Sequence, residues 1–343
     1  MDDSTTSPAP RSLPELHERA SRPTAGVLQA LQTVDSDVLV LGAGGKMGFH
    51  LSRLLQRGLL ELGSPHRVLA VSRFGDAAAT AEFTAAGIGT IAADLLVDAD
   101  LARLPASRNV FFLAGVKFGT KNDPQRLRQM NVELPARVAQ RFVDARIVAL
   151  STGCVYAFTT PASGGSRESD PPEPPGDYAQ SCLGREQAFA QSGAAASLIR
   201  LNYSVDLRYG VLVDVALKVL RGQPIDLETG WFNTIWQGDA NAYIVQALPR
   251  AASPPWIVNV TGEAILQVAE VARRFGERFG REPIFRGSPA ATAWLSNAAL
   301  CHRLWGPPQV SESTLIEWVA DWLSRGGETL HKPTQFEVRD GAY

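Results

Sequence analysis

The chain has 343 residues, 45% hydrophobic and 20% charged, which leaves room for two domains of an ordinary globular enzyme and excludes a fibrous or disordered chain. Its 33 basic residues stand against 35 acidic ones, a net charge of −2, so no basic excess exists to neutralise the phosphates of a nucleic acid. The longest uncharged stretch, 147–166, is broken by Ser, Thr, Gly and Pro and is no membrane span; with no apolar leader after Asp2-Asp3, a cytoplasmic location is expected.

Residues 1–10 are polar and rich in Pro and Ser, and mobility is expected there. Stretches 13–20 and 24–32 each suit a short helix. Short β-rich runs then follow at Val38–Leu41, Val68–Val71, Thr90–Ala92, Val110–Leu113, Ile147–Leu150 and Leu198–Leu201, with helical stretches between them. This alternation predicts an α/β fold, a Rossmann-type doubly wound parallel sheet. A helix over 123–142 is signalled by Asp123 as cap, Pro124 in the first turn, and Leu127, Met130, Leu134, Val138 and Phe142 at helical spacing. The Pro- and Gly-dense stretch 158–177 predicts a loop, of a length that often covers a site. Beyond residue 200, helices are expected at Val211–Leu220, Leu266–Phe279 and Leu315–Leu323, and a strand at Ile257–Val260. Three scattered cysteines and five histidines, with no C-x-x-C and no H-E-x-x-H, point to a reducing compartment and to no metal site.

The chemistry starts at the first turn. Four aliphatics, Val38–Leu41, run into Gly42-Ala-Gly44-Gly45-Lys46-Met47-Gly48 and a helix-like stretch. A strand, a glycine turn and a helix N-terminus make an anion site for a pyrophosphate. The spacing that fits is G-x-x-G-x-x-G over Gly42, Gly45 and Gly48; a P-loop is excluded, since Met47 follows Lys46. The second strand ends in Ser72-Arg73, and Arg73 either pairs with a 2′-phosphate, favouring NADP slightly over NAD, or is a surface arginine. Asp94-Leu95 follows the third strand, where Asp94 either accepts from an adenine amino group or forms a turn.

These residues, with Leu113-Ala114-Gly115, Asn131, Ser151-Thr152-Gly153-Cys154-Val155-Tyr156, Tyr178, Arg200–Tyr203, Gln237–Asp239 and Asn259–Gly262, arrive in one order. In that order the chain, from about 37 to about 325, resembles the extended short-chain dehydrogenase/reductases, the NAD-dependent epimerase/dehydratase family typified by UDP-galactose 4-epimerase. The resemblance implies an NAD(P)-binding domain over 36–200 plus 233–260, and a substrate lobe over 201–232 plus 261–335, behind an extension over 1–35. It implies cofactor contacts from the glycine turn, Ser72, Arg73, Asp94, Leu95, Leu113–Gly115 and Asn131, with hydride transfer on a sugar, nucleotide sugar or polyhydroxy acid. Thr152 and Tyr178 would handle the proton. Gly153, Asn202, Tyr203 and Arg208 would face substrate, and the helices at 123–142 and 178–191 would pair two copies as a homodimer.

One position departs from the pattern. The family has a lysine four residues after the tyrosine, which acidifies the phenol, and here that residue is Cys182. A thiol is mostly neutral near pH 7, and each unit of phenol acidification forgone is worth about 1.4 kcal/mol. Three readings stay open. Another cation substitutes, with Lys117 favoured over Lys121 and Arg185; Cys182 has a role of its own; or the protein binds a dinucleotide without turnover, as a regulator or scaffold.

Overall fold

A computed structural model describes residues 8–341 except 76, 121 and 122. The mobility expected of residues 1–10 falls mostly on residues outside this set. Seven parallel strands form the central sheet: β1 (Val38–Leu41), β2 (Val68–Ser72), β3 (Gly89–Ala92), β4 (Asn109–Phe112), β5 (Arg146–Thr152), β6 (Ala195–Leu201) and a strand at Trp256–Val260, here β11. Their order across the sheet is β11-β6-β5-β4-β1-β2-β3, with the crossover beside β1. Strands covered on both faces bury continuous apolar runs, which is why VLVL of β1 and the VFF of β4 read as unbroken blocks.

Successive residues of β1 point to opposite faces. Val38 and Val40 meet Leu51, Leu54, Leu55 and Leu59 of α3 (Gly48–Glu61), with α2 (Ala25–Leu31) and α10 (Gln237–Gln246) in the same core. Leu39 and Leu41 share the opposite core with Leu134 and Val138 of α7 (Leu134–Arg141) and Phe189 of α8 (Gly176–Ser192). The remaining lobe packs α9 (Val211–Leu220), α11 (Val268–Phe279) and α13 (Glu312–Ser324) around Val215, Phe275, Trp318 and Trp322. Among the described residues no helix is long and apolar enough to cross a membrane.

Two expected helices are corrected. The stripe over 123–142 is not one α-helix: α6 (Pro124–Arg128) passes into a π-helical turn, Gln129–Glu133, before α7. The extra residue per turn carries Asn131 into the interior. The helix expected from 266 starts at 268, because Leu266 and Gln267 pair antiparallel with Phe232 and Trp231. The 158–177 loop is pinned rather than loose: Thr159 bridges to Ala293, Ser166 to Ser296, and Asn259 donates its N–H to Glu168 Oε1 at 2.8 Å.

Both ends of the chain tie the lobes together. From α1 (Leu13–Ala20), capped by Ser12, Leu16 and Ala20 enter the core of the lobe, while α2 adds Val27 and Leu31 to the sheet. The C-terminal segment runs back across the lobe: Leu330 N–H to Arg208 O, Thr334 N–H to Asp214, Glu337 to Lys218, and Asp340 against Gly176.

A buried polar chain crosses this seam. His50 of α3, 1% exposed, has Nε2 2.7 Å from His17 Nδ1 and Nδ1 2.8 Å from Gln237 Oε1. Asp206 lies 3.7 Å away, paired with Arg208, and His17 reaches Glu82. Burial pushes the His50 pKa down to about 4, so the folded state keeps it neutral while the unfolded chain takes up a proton near 6.5. Between those values the unfolded state binds more protons, so stability falls as pH falls through the window, by up to about 3 kcal/mol from this group. Urea unfolding at about pH 7.5 and about pH 4.5 is expected to show a smaller loss in His50→Gln than in the native chain; an equal loss would contradict this assignment.

Candidate functional site

Gly42 leaves β1 at φ +86°, and a Cβ there would lie 2.6 Å from the Ala114 amide nitrogen. A Cβ at Gly48 would lie 2.0 Å from Ala43 O, and one at Gly44 2.4 Å from Ser72 Oγ. The turn closes on itself through Gly45 N–H to Gly42 O and Gly48 N–H to Gly45 O, both 3.1 Å. Among the described residues the N–H groups of Gly44, Lys46 and Met47 donate to no backbone carbonyl, and α3 begins without a side-chain cap. Free amides at the N-terminus of a 14-residue helix fit a diphosphate.

The cleft beside this turn encloses about 760 Å³. Gly42, Gly44 and Gly45 line it, with Ser72 and Arg73 after β2, Asp94 and Leu95 after β3, and Leu113–Gly115 after β4. Asp94 also builds its own turn, accepting from Leu96 N–H at 3.0 Å. Arg73 is exposed. Lys46 turns from the cleft, its ammonium 3.5 Å from the Tyr209 ring centre and 4.6 Å from that of Phe118. Burial, with Lys117 and Lys332 nearby, lowers its pKa to about 8. Asn131 is fully buried, and its amide joins Val116 N–H and C=O, Ser181 Oγ and Arg185 Nη2. With both donors and both lone pairs engaged, its side chain holds the loop after β4.

Past the crossover, Thr152 ends β5 and accepts Cys154 N–H at 3.2 Å. Tyr178 lies in the first turn of α8, and the Lys117 ammonium stands 5.5 Å from its ring centre. Cys182, 1% exposed, packs with Val155, Tyr156, Tyr178 and Leu183. Burial, followed by the Cys182 and Cys154 thiols, holds the Tyr178 phenol well above its usual value against the downward pull of Arg185. Burial also raises the Cys182 thiol and lowers the Lys117 ammonium. At neutral pH the centre is therefore a neutral phenol beside a neutral thiol. Lys121, the alternative cation, lies outside the described residues.

On the substrate side, Gly153 lies so close to Ser296 that a Cβ would come within 2.6 Å of its hydroxyl. Asn202 is buried and donates to Trp294 O at 3.2 Å. Tyr203 takes φ +41°, its carbonyl accepting Thr234 Oγ1 and Ile235 N–H, and burial raises its phenol. Arg208 forks onto Asp206, Nη2 to Oδ2 at 2.9 Å and Nε to Oδ1 at 3.3 Å. Trp236 is buried edge-on against Trp318. Sequence reasoning missed a wall in which the Phe158 and Trp294 rings lie 4.4 Å apart, with Arg339 over Phe158 also at 4.4 Å. Arg339 lies beyond the span of the resemblance, and nothing local in the sequence marked it.

Residues 38–202, about half of the chain, match the NAD dependent epimerase/dehydratase family. A comparison with curated protein sequences found no match. Solved structures similar to this chain include MoeE5 in complex with UDP-glucose and NAD, 19% identical over 85% of this chain and 99% of that one, TM-score 0.68. UDP-glucuronic acid 4-epimerase from Bacillus cereus, with UDP-glucuronic acid and NAD, is 18% identical over 84% and 99%, TM-score 0.68. UDP-glucose 4-epimerase from Thermus thermophilus, with NAD, is 21% identical over 83% and 98%, TM-score 0.65. At these identities the likeness shows a shared fold alone, and the match over residues 38–202 is a separate finding of sequence. Residues 38–202 are thus similar to the NAD dependent epimerase/dehydratase family, on a fold that the solved structures share.

Proposed function

We propose that the chain binds NAD(P) in the cleft beside Gly42–Gly48 and acts on a sugar, taken as its nucleotide derivative, by hydride transfer. The observation that carries this is the turn itself, whose glycines let the backbone pack where no side chain would fit and leave the amides of Gly44, Lys46 and Met47 free at a helix N-terminus. Amides of Gly44, Lys46 and Met47 hold the diphosphate with the positive end of the α3 dipole. When bound, the nicotinamide supplies the hydride or accepts it. Tyr178 gives a proton to a carbonyl oxygen as a neutral phenol, and Thr152 orients the same oxygen through its hydroxyl. The 158–177 loop, pinned against 293–297, keeps water from that end. Two of the solved structures named above carry a UDP-sugar with NAD, which supports a nucleotide sugar here.

A second reading, dinucleotide binding without turnover, is favoured by Cys182 standing where a lysine would acidify Tyr178. Calorimetry and turnover separate the two. Tyr178→Phe is expected to lower the oxidation or reduction rate on a responsive nucleotide sugar by about 100-fold or more, with cofactor affinity unchanged. Cofactor binding with no turnover across a broad sugar panel would support the second reading, and no binding at all would remove both.

Arg73 is the basis of a modest NADP preference, to which the NAD of the solved relatives lends nothing. Arg73→Ala is expected to weaken NADP about tenfold, a loss of about 1.4 kcal/mol, while NAD changes little; equal losses would end the preference. We also infer a homodimer through α7 and α8, whose outer faces form a groove of about 540 Å³ lined by Val132, Ala136, Val143, Gly184 and Ala188. Sedimentation velocity should give twice the chain mass, and Gly184→Arg should give the monomer. A native monomer would refute this.

A further inference from the structure

Tyr178, Cys182 and Arg185 follow one another at spacings of four and three residues on α8, so one helix face carries all three. Side chains on a helix lean toward its N-terminus, which brings a long side chain at 185 back over the turn of Cys182 and toward Tyr178. Arg185 is 6% exposed. Its Nη1 donates to Leu150 O and its Nη2 to Asn131 Oδ1, both at 2.7 Å, and its buried Nε has no hydrogen-bond partner. Both acceptors are neutral. The adjacent carboxylate, Glu186, is engaged elsewhere, with Arg200 at 2.7 and 3.0 Å and Ser151 Oγ at 2.5 Å. Among the described residues no carboxylate lies within ion-pairing distance of Arg185. A buried cation held by neutral acceptors is stabilised by any negative charge that forms nearby.

We propose that Arg185 is the positioning residue for Tyr178, its guanidinium supplying from two helical turns away the positive field that the thiol at position 182 does not. This rests on the reading that Tyr178 handles the proton. The surroundings fix the guanidinium in place. A Cβ at Gly115 would lie 2.3 Å from Nη2, so the end of β4 must be bare for Arg185 to lie against it. Asn131, tied on its other side to Val116, holds the same nitrogen. The charge acts on the phenol and on the Cys182 thiol, favouring the ionised form of each. Lys117 approaches the ring face, but burial drives its ammonium toward the neutral form, whereas a guanidinium stays protonated in proteins.

The test places a ring-fluorinated tyrosine at position 178 of the full chain, which lowers the phenol's intrinsic pKa into a range the folded protein withstands. Its ¹⁹F signal is then followed against pH without cofactor or substrate. Arg185→Gln is expected to raise the midpoint by about one unit or more, Arg185→Lys to restore most of the shift, and Lys117→Ala to change it less. Gly115→Ala, which keeps the charge but displaces it, should also raise the midpoint and serves where Arg185→Gln does not fold. A midpoint within about 0.3 units of the native chain in whichever of these two variants folds, or a larger shift in Lys117→Ala, overturns the proposal. Because the midpoint is read without turnover, failure of the enzymatic reading leaves this result standing, and the converse also holds.

Discussion

The backbone at Ala114 and Gly115 is approached from both sides, and the site depends on that double approach. On one side Gly42 comes so near Ala114 that no side chain fits between them, which brings the carboxyl ends of β1 and β4 together and shapes the cleft. On the other, the guanidinium of Arg185 lies against Gly115 and is held there by Asn131. A side chain at Gly42 would push the end of β4 away from β1, and one at Gly115 would displace the Arg185 guanidinium. The π-helical turn at 129–133 belongs to the same constraint, since it delivers Asn131 to the loop after β4. The cleft beside Gly42–Gly48 and the cluster of Tyr178, Cys182 and Arg185 are thus built on opposite sides of two residues, so a displacement felt by one is felt by the other.

Around that pivot the two lobes are held by the ends of the chain as well as by the β6–β11 sheet edge. Apolar residues of α1 sit in the core of the lobe, while α2 sits on the sheet, so the short connection between them works as a clamp. At the other end the segment from 329 to 341 crosses α9 and finishes against Pro175 and Gly176, immediately before Tyr178. Its Arg339 donates to Thr292 O and covers Phe158, closing the aromatic wall on the substrate side.

Much of the sheet was legible because strands buried on both faces leave apolar blocks, as at Val38–Leu41. The glycine turn was legible from its spacing. The broken helix at 124–141 was not, since an apolar stripe at three and four residue intervals survives the insertion of one residue in a turn. The Asp206–Arg208 pair was not legible although the two stand two residues apart: the sequence shows the charges, while their burial beside His50 comes from α3, more than a hundred residues earlier. The Phe158–Trp294–Arg339 wall joins three distant segments and leaves no periodic trace.

The cysteine at 182 takes on a different meaning in the folded chain. Its side chain is enclosed by Val155, Tyr156, Tyr178 and Leu183, and the nearest charge on its own helix face is the Arg185 guanidinium. An ammonium at 182 would be a second buried cation one turn from the first, with Glu186 already committed to Arg200, and like charges in so dry a place raise each other's cost steeply. A small neutral residue at 182 and an arginine at 185 are therefore one solution to a single electrostatic problem. Seen this way, the positive charge on α8 has moved one turn along the helix, and the phenol of Tyr178 faces it across the thiol that made room.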